Sequence, residues 1–317
     1  LAVTNQIKYR APSGLRMVQS ENTSGIITFS GSNILDAAST VFSNAEGGVL
    51  NISGVVVGTG LLQKVGAGDL RLSASNTLSG TTYVSNGTLN IRHGGVLGST
   101  NAGTEISSGA QMTLQSAAAT VYNAEPLWLA GTGVSGGGAL QSILSSSGTA
   151  TWPGNVTLTA EALISAGTAL IFTNVGSPQT VGGTGNYALR FGGSSTITMG
   201  AAITNASAVI AEGGVQLNLF NTNNSYDAAT YATNSLLAFT GSRSFGVVPG
   251  SPTAGRIRLD GSKLIHSGSA ASIDPNIGIE LVNFGVLRNA SATLTYGGVI
   301  AGSGMLHKEG GQNLVLT

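Results

Sequence analysis

Apolar residues alternate with polar ones along this chain in short runs. Examples are Leu70/Leu72, Leu89/Ile91, Met112/Leu114, Val156/Leu158, Leu170/Phe172, Leu189/Phe191, Val215/Leu217/Leu219, Ile257/Leu259 and Leu314/Leu316. A period of two sends successive side chains to opposite faces, so each run predicts a strand with one face inside and one outside. Gly-Gly, Asn-Gly, Ser-Gly and Thr-Gly steps fill the gaps and predict turns. No segment combines a cap with a 3.6-residue stripe. Residues 110–121, with Ala117, Ala118 and Ala119, come nearest to a helix.

Spacing decides between two ways of using such strands. Hairpin folds return after a few residues, whereas a parallel β-helix stacks coils of roughly 18–25 residues at about 4.8 Å per coil. The steps from Leu70 to Leu89, Met112, Leu127 and Leu140 fit coils. The expected fold is therefore all-β, a single-stranded parallel β-helix (β-solenoid), with residues 1–317 as one continuous segment. The polar stretch 221–233 and the Pro-containing stretch 243–256 break the rhythm. Both are expected to protrude as loops and to be the first places where a partner would bind.

A longer pattern lies over the alternation. Residues 58–91 read GTGLLQKVGAGDLRLSASNTLSGTTYVSNGTLNI, and the opening of that pattern returns as AGSGMLHKEGGQNLVLT at 301–317. Matching Gly, Leu, Lys, Gly and Leu-x-Leu positions predict a repetitive β architecture. The second copy stops in mid-pattern, and no charged-then-apolar leader follows Leu1. The reading is a piece of a longer rod.

Composition narrows the class. Charged residues are 8% of the chain, against roughly 25% in a globular domain. Gly accounts for 48 of 317 residues while hydrophobic residues reach 41%, so the chain can bury a core and is no disordered linker. Thirteen acids balance thirteen bases, which gives no pull toward nucleic acid or anionic membrane. Cysteine is absent, so disulfides and thiolate metal sites are excluded. No apolar run reaches the ~18 residues of a spanning helix.

The 58–91 pattern resembles the autotransporter-associated β-strand repeat of bacterial passenger regions and giant surface proteins. The matching residues are Gly58, Gly60, Leu62, Lys64, Gly66, Gly68, Leu70, Leu72, Asn76, Gly80, Thr81, Thr82, Val84, Gly87, Leu89 and Ile91. Residues 96–114, 129–142 and 151–164 look like the continuation common in those passengers. The resemblance implies a right-handed parallel β-helix outside the cell, on the surface of a Gram-negative-type bacterium. It implies a non-enzymatic structural role, a stiff rod that extends from the cell or joins end to end into a fibre. The expected partners are other copies or flanking coils at the open ends, and glycan or host-surface ligands if the chain is an adhesin. Cofactors and metals are not expected.

Several groups are candidates for chemistry. Gly131-Thr132-Gly133-Val134-Ser135-Gly136 fits G-x-G-x-x-G, but no helix follows to meet a pyrophosphate, so a turn is expected. Gly66-Ala67-Gly68-Asp69 resembles part of a calcium nonapeptide but supplies one Asp where stacked sites need several. A β-helix hydrolase or lyase, the enzymatic alternative, needs two carboxyl groups roughly 5–9.5 Å apart. Asp260 with Glu280, and Glu105 with Glu125, are a coil-length apart and are expected to point outward as charge ladders. His93, His266 and His307 are dispersed and lack metalloprotease spacing. Lys8, Arg10 and Arg16 form a basic cluster expected to cap the stack or face a neighbouring copy. Trp128 and Trp152 are expected in the core or at coil corners.

Overall fold

The computed structural model describes all residues except 5–6, 10–14, 37–38, 116, 144–147, 174–178 and 270; of residues 3, 7–9, 15 and 271 it describes the backbone. Arg10 and the side chain of Lys8 thus lie outside the described residues. The fold is a parallel β-solenoid of about 12 turns. Helix is confined, among the described residues, to two short 3-10 turns, Val134–Gly136 and Ser242–Phe245. The alanine-rich stretch that came nearest to a helix contains the strands Ala110–Leu114 and Thr120–Val121. The chain divides into two compact units, Leu1–Thr168 and Ala169–Thr317.

In the first unit two columns of strands build the core. One stacks Val49–Ile52, Asp69–Leu72, Gly87–Ile91, Ala110–Leu114 and Leu140–Ser142 in parallel register, so that Leu50, Leu70, Leu89, Met112 and Leu140 lie one above another. Each of these five is 0–1% exposed. The other stacks Ser39–Asn44, Leu61–Val65, Thr82–Val84, Thr104–Ile106 and Leu127–Gly131. Leu127 therefore sits on Thr104 in the second column and is not a rung of the Leu70 column. Each coil passes through both columns, and the coils after Ile91 are longer, so an apolar residue at a plausible interval can belong to the other side.

The second unit repeats the scheme. Leu189, Val209, Thr230, Ile257, Ile279 and Ile300 form one column. Ile197, Leu217, Leu237, Leu264 and Leu287 form another. The two stretches expected to protrude are anchored at their bases. Asn224, Tyr226 and Phe245 are each 0% exposed. The guanidinium of Arg256 donates to Tyr226 O (3.2 Å), Phe245 O (3.3 Å) and Val247 O (2.9 Å) and to the Asp227 carboxylate (3.1 Å). One buried cation thereby ties both stretches together, leaving Thr222, Asn223 and residues 250–254 exposed. Asn224 and Arg256 pair with backbone groups at these corners, and polar residues in such a place read as a loop when only hydropathy is followed.

Candidate functional site

The repeat is the part of the chain in which most residues have a visible task. Leu70, Leu72, Leu89 and Ile91 supply the first core column, and Leu62, Thr82 and Val84 the second. Gly58 ends the strand Val56–Gly58, Gly60 follows it in the turn, and Gly80 occupies the equivalent turn one coil on. Gly66, Gly68 and Gly87 shape the corner after the second column. Gly66 has φ +76, and a Cβ there would lie 2.4 Å from Asn44 O, so only glycine fits.

That corner is closed by Lys64. Register places Lys64 beneath Val84 and above Phe42, an inward rung, and it is 0% exposed. Its ammonium Nζ donates to three carbonyls, Val65 O (2.8 Å), Gly66 O (2.5 Å) and Asn86 O (3.0 Å). Burial pulls its pKa down to about 8, with Asp69 pulling the other way. The ion therefore persists at neutral pH. In the 301–317 copy, Lys308 sits above Leu287 and likewise donates to the carbonyl of Gly310, as Lys64 does to Gly66.

Asn76 is the second device. Its Oδ1 accepts from Val56 N (2.8 Å) on the coil before, and its Nδ2 donates to Val96 O (2.6 Å) on the coil after. Asn224 does the same in the other unit, accepting from Ile203 N (2.8 Å) and donating to Ser244 O (2.8 Å). A side-chain amide, with one donor edge and one acceptor edge, replaces a missing peptide group between two coils. We expect Asn76→Ala to destabilise the first unit by about 2–4 kcal/mol, since both orphaned backbone groups are buried. Amide exchange at Val56, compared between variant and parent, checks this; unchanged protection would contradict it.

The remaining candidates fall apart as sites. Glu280 stacks on Arg258, 3.7 Å from its guanidinium, and Asp260 accepts from Asn283 Nδ2 (2.5 Å), so the two carboxylates are not rungs of one pair. Glu105 faces outward, but Glu125 does not: it is 1% exposed and accepts from Thr104 Oγ1 (2.9 Å). Burial raises the Glu125 pKa to about 8, the Thr104 bond opposing, so the group is a neutral acid at pH 7. Its place directly before Pro126 carries no hydropathy signal for burial. Asp69 is paired with Arg71 at 3.4 Å. The G-x-G-x-x-G stretch forms a 3-10 turn. His266 is buried with its ring 5.3 Å from Phe239, and burial lowers its pKa; His93 and His307 are exposed and elsewhere. Trp152 is fully buried as expected, whereas Trp128 is half-buried on the outer face between the inward Leu127 and Leu129. No group of three metal-ligating side chains occurs among the described residues. No helix among them is long and apolar enough to cross a membrane.

The fold is a β-solenoid, and Lys64 and Asn76 close the corners of the 58–91 repeat. Residues 62–91 match the family model described as passenger-associated-transport-repeat, so the chain carries that repeat, as its residues implied. It is similar to the adhesin BmaC autotransporter of Brucella suis biovar 1 (strain 1330), 33% identical over 184 residues, which is 58% of this chain. The chain spans 4% of the length of that curated relative. The comparison with solved structures gives no match.

Proposed function

We propose that this chain is part of the exported passenger of a bacterial surface protein, a non-enzymatic β-solenoid that presents an adhesive or spacing surface outside the cell. The observation carrying this reading is that the passenger-type repeat at 62–91 lies in register within the core columns, with Lys64 and Asn76 each bonded to a neighbouring coil. Backbone pairing from coil to coil plus a continuous apolar core gives stiffness without a cofactor. An adhesin among the relatives favours a binding role over a pure spacer.

The proposed partners are flanking coils or other copies. Met305 (74% exposed), on the strand Met305–Glu309, and Val315 (41%) and Leu316 (54%), on the strand Leu314–Leu316, are exposed apolar residues that such a partner would cover. The test of location is brief protease treatment of intact cells that express the parent protein, followed by mass spectrometry of the released peptides. Peptides from 1–317 should appear before lysis. Their release only after lysis would overturn the reading. On the purified chain, sedimentation velocity across a concentration series reports association between copies.

A further inference from the structure

We propose that the outer face of the first unit holds a binding site for a quaternary ammonium group, formed by Tyr83, Glu105 and Trp128. Register stacks these three residues on consecutive coils, Tyr83 on Glu105 and Glu105 on Trp128. They alternate with inward neighbours, so all three point out, and each is half-buried. Together with Thr81, Asn101 and Ala102 they line a cavity of about 320 Å³, at the small end of ligand pockets. The indole of Trp128 reaches back across the middle coil. A Cβ on Gly103 would come within 2.1 Å of its ring, so glycine at that position is what lets the ring lie there.

Charge selects the ligand. Glu105 has no ion-pair partner among the described residues, and the cavity holds no other charged group. A carboxylate between two aromatic residues makes a place that is negative and apolar at once. Aromatic faces attract cations within about 6 Å. Strands lie about 4.8 Å apart, so a group above the middle strand is one spacing from the strand of each ring. A primary ammonium would lose a tightly held water shell on entering. Methyl groups around the nitrogen remove that cost and pack against the rings, Ala102 and the Thr81 methyl. A neutral sugar would use the rings but leave the carboxylate without a counter-charge.

Choline is the probe, and the chain supplies its own reporter. Of two tryptophans, Trp152 is fully buried and Trp128 lines the cavity, so ligand-dependent fluorescence reads Trp128. Choline chloride should change the emission saturably in the millimolar range. Glu105→Gln should weaken binding about tenfold, and Trp128→Ala should abolish the response. The neutral analogue 3,3-dimethyl-1-butanol has the same shape without the charge, and it should bind at least tenfold more weakly. Calorimetric titration reads binding to the Trp128→Ala chain directly, and thermal melts show whether each variant keeps the fold. Equal binding of choline and the neutral analogue, unchanged affinity in Glu105→Gln, or a response to methyl glycosides but not to choline would each overturn the proposal. If choline binds, retention on phosphatidylcholine vesicles assigns a lipid headgroup. Choline binding without retention assigns a soluble ligand, and both outcomes support the site.

Discussion

Replacing Lys64 by Met should destabilise the first unit by about 3 kcal/mol, although Met fills nearly the same volume and is the more hydrophobic residue. Two effects oppose each other at this position. Removing an ammonium from an inward rung returns its desolvation cost, which on its own would favour Met. Against that, the three carbonyls of Val65, Gly66 and Asn86 lose their donor at 2.5–3.0 Å. Bonds to a charged donor are worth about 1.5–3 kcal/mol each, and a buried carbonyl left unpaired costs about 1–3 kcal/mol. Three such losses outweigh one recovered desolvation. The corner is tight around the ammonium: a Cβ at Gly87 would meet Nζ at 2.7 Å. Urea unfolding gives the total, and amide exchange at residues 66–68 and 85–88 locates it. A Met variant as stable as the parent would show that the two effects cancel and that the contact of Lys64 with the Gly66 carbonyl, repeated by Lys308 and Gly310, has another cause.

The stability of the parent should fall as pH rises from about 5 to above 8, and Glu125→Gln should remove that slope. In the fold the carboxyl pKa stands at about 8, above its ordinary value of 4.5, because burial penalises the charged form more than the Thr104 bond favours it. Between those two values the folded chain holds a proton that the unfolded chain has released. The group's contribution is therefore complete below about 4.5 and is lost as pH passes through 8. A gap of this size corresponds to a few kcal/mol, at about 1.4 kcal/mol per pKa unit. Gln keeps the shape, cannot ionise, and should match the parent near pH 5 while exceeding it at pH 8.5. Other groups, such as the buried His266, whose lowered pKa costs stability only as pH falls below about 6.5, cancel in the difference between variant and parent. Denaturant midpoints at the two pH values decide the matter. Parallel curves for variant and parent would mean that Glu125 is ionised in the fold.

How far the sequence could be read differs from residue to residue. The alternation at Leu70–Leu72 and Leu89–Ile91 gives both the strands and their inward faces, and the structure stacks these residues in one column. The same alternation contains a signal about Lys64, two residues after Leu62, but polarity argues the other way. Only the carbonyl-lined corner made by Gly66 and Asn86 turns an inward lysine into a stable one. Trp128, between Leu127 and Leu129, is outward by the same rule, which a preference for burying tryptophan obscures. Nothing local marks Asn224 as the counterpart of Asn76, because its partners Ile203 and Ser244 lie one coil before and one coil after it.

Alternation and glycine spacing alone point to a parallel β-solenoid, and the residues of 58–91 to a passenger-type repeat. Strand alternation and glycine turns arise from backbone sterics within a few residues, and those are written locally. Which residues of successive coils meet is settled by the three-dimensional stack. That depends on the length of every turn between them, which varies from coil to coil: Leu89 lies 19 residues after Leu70, whereas Leu140 lies 28 after Met112 in the same column. Hence Leu127 moved to the other column, Glu125 turned inward to Thr104, the stretches 221–233 and 243–256 were tied down by Arg256, and Tyr83, Glu105 and Trp128 came to share one outer face.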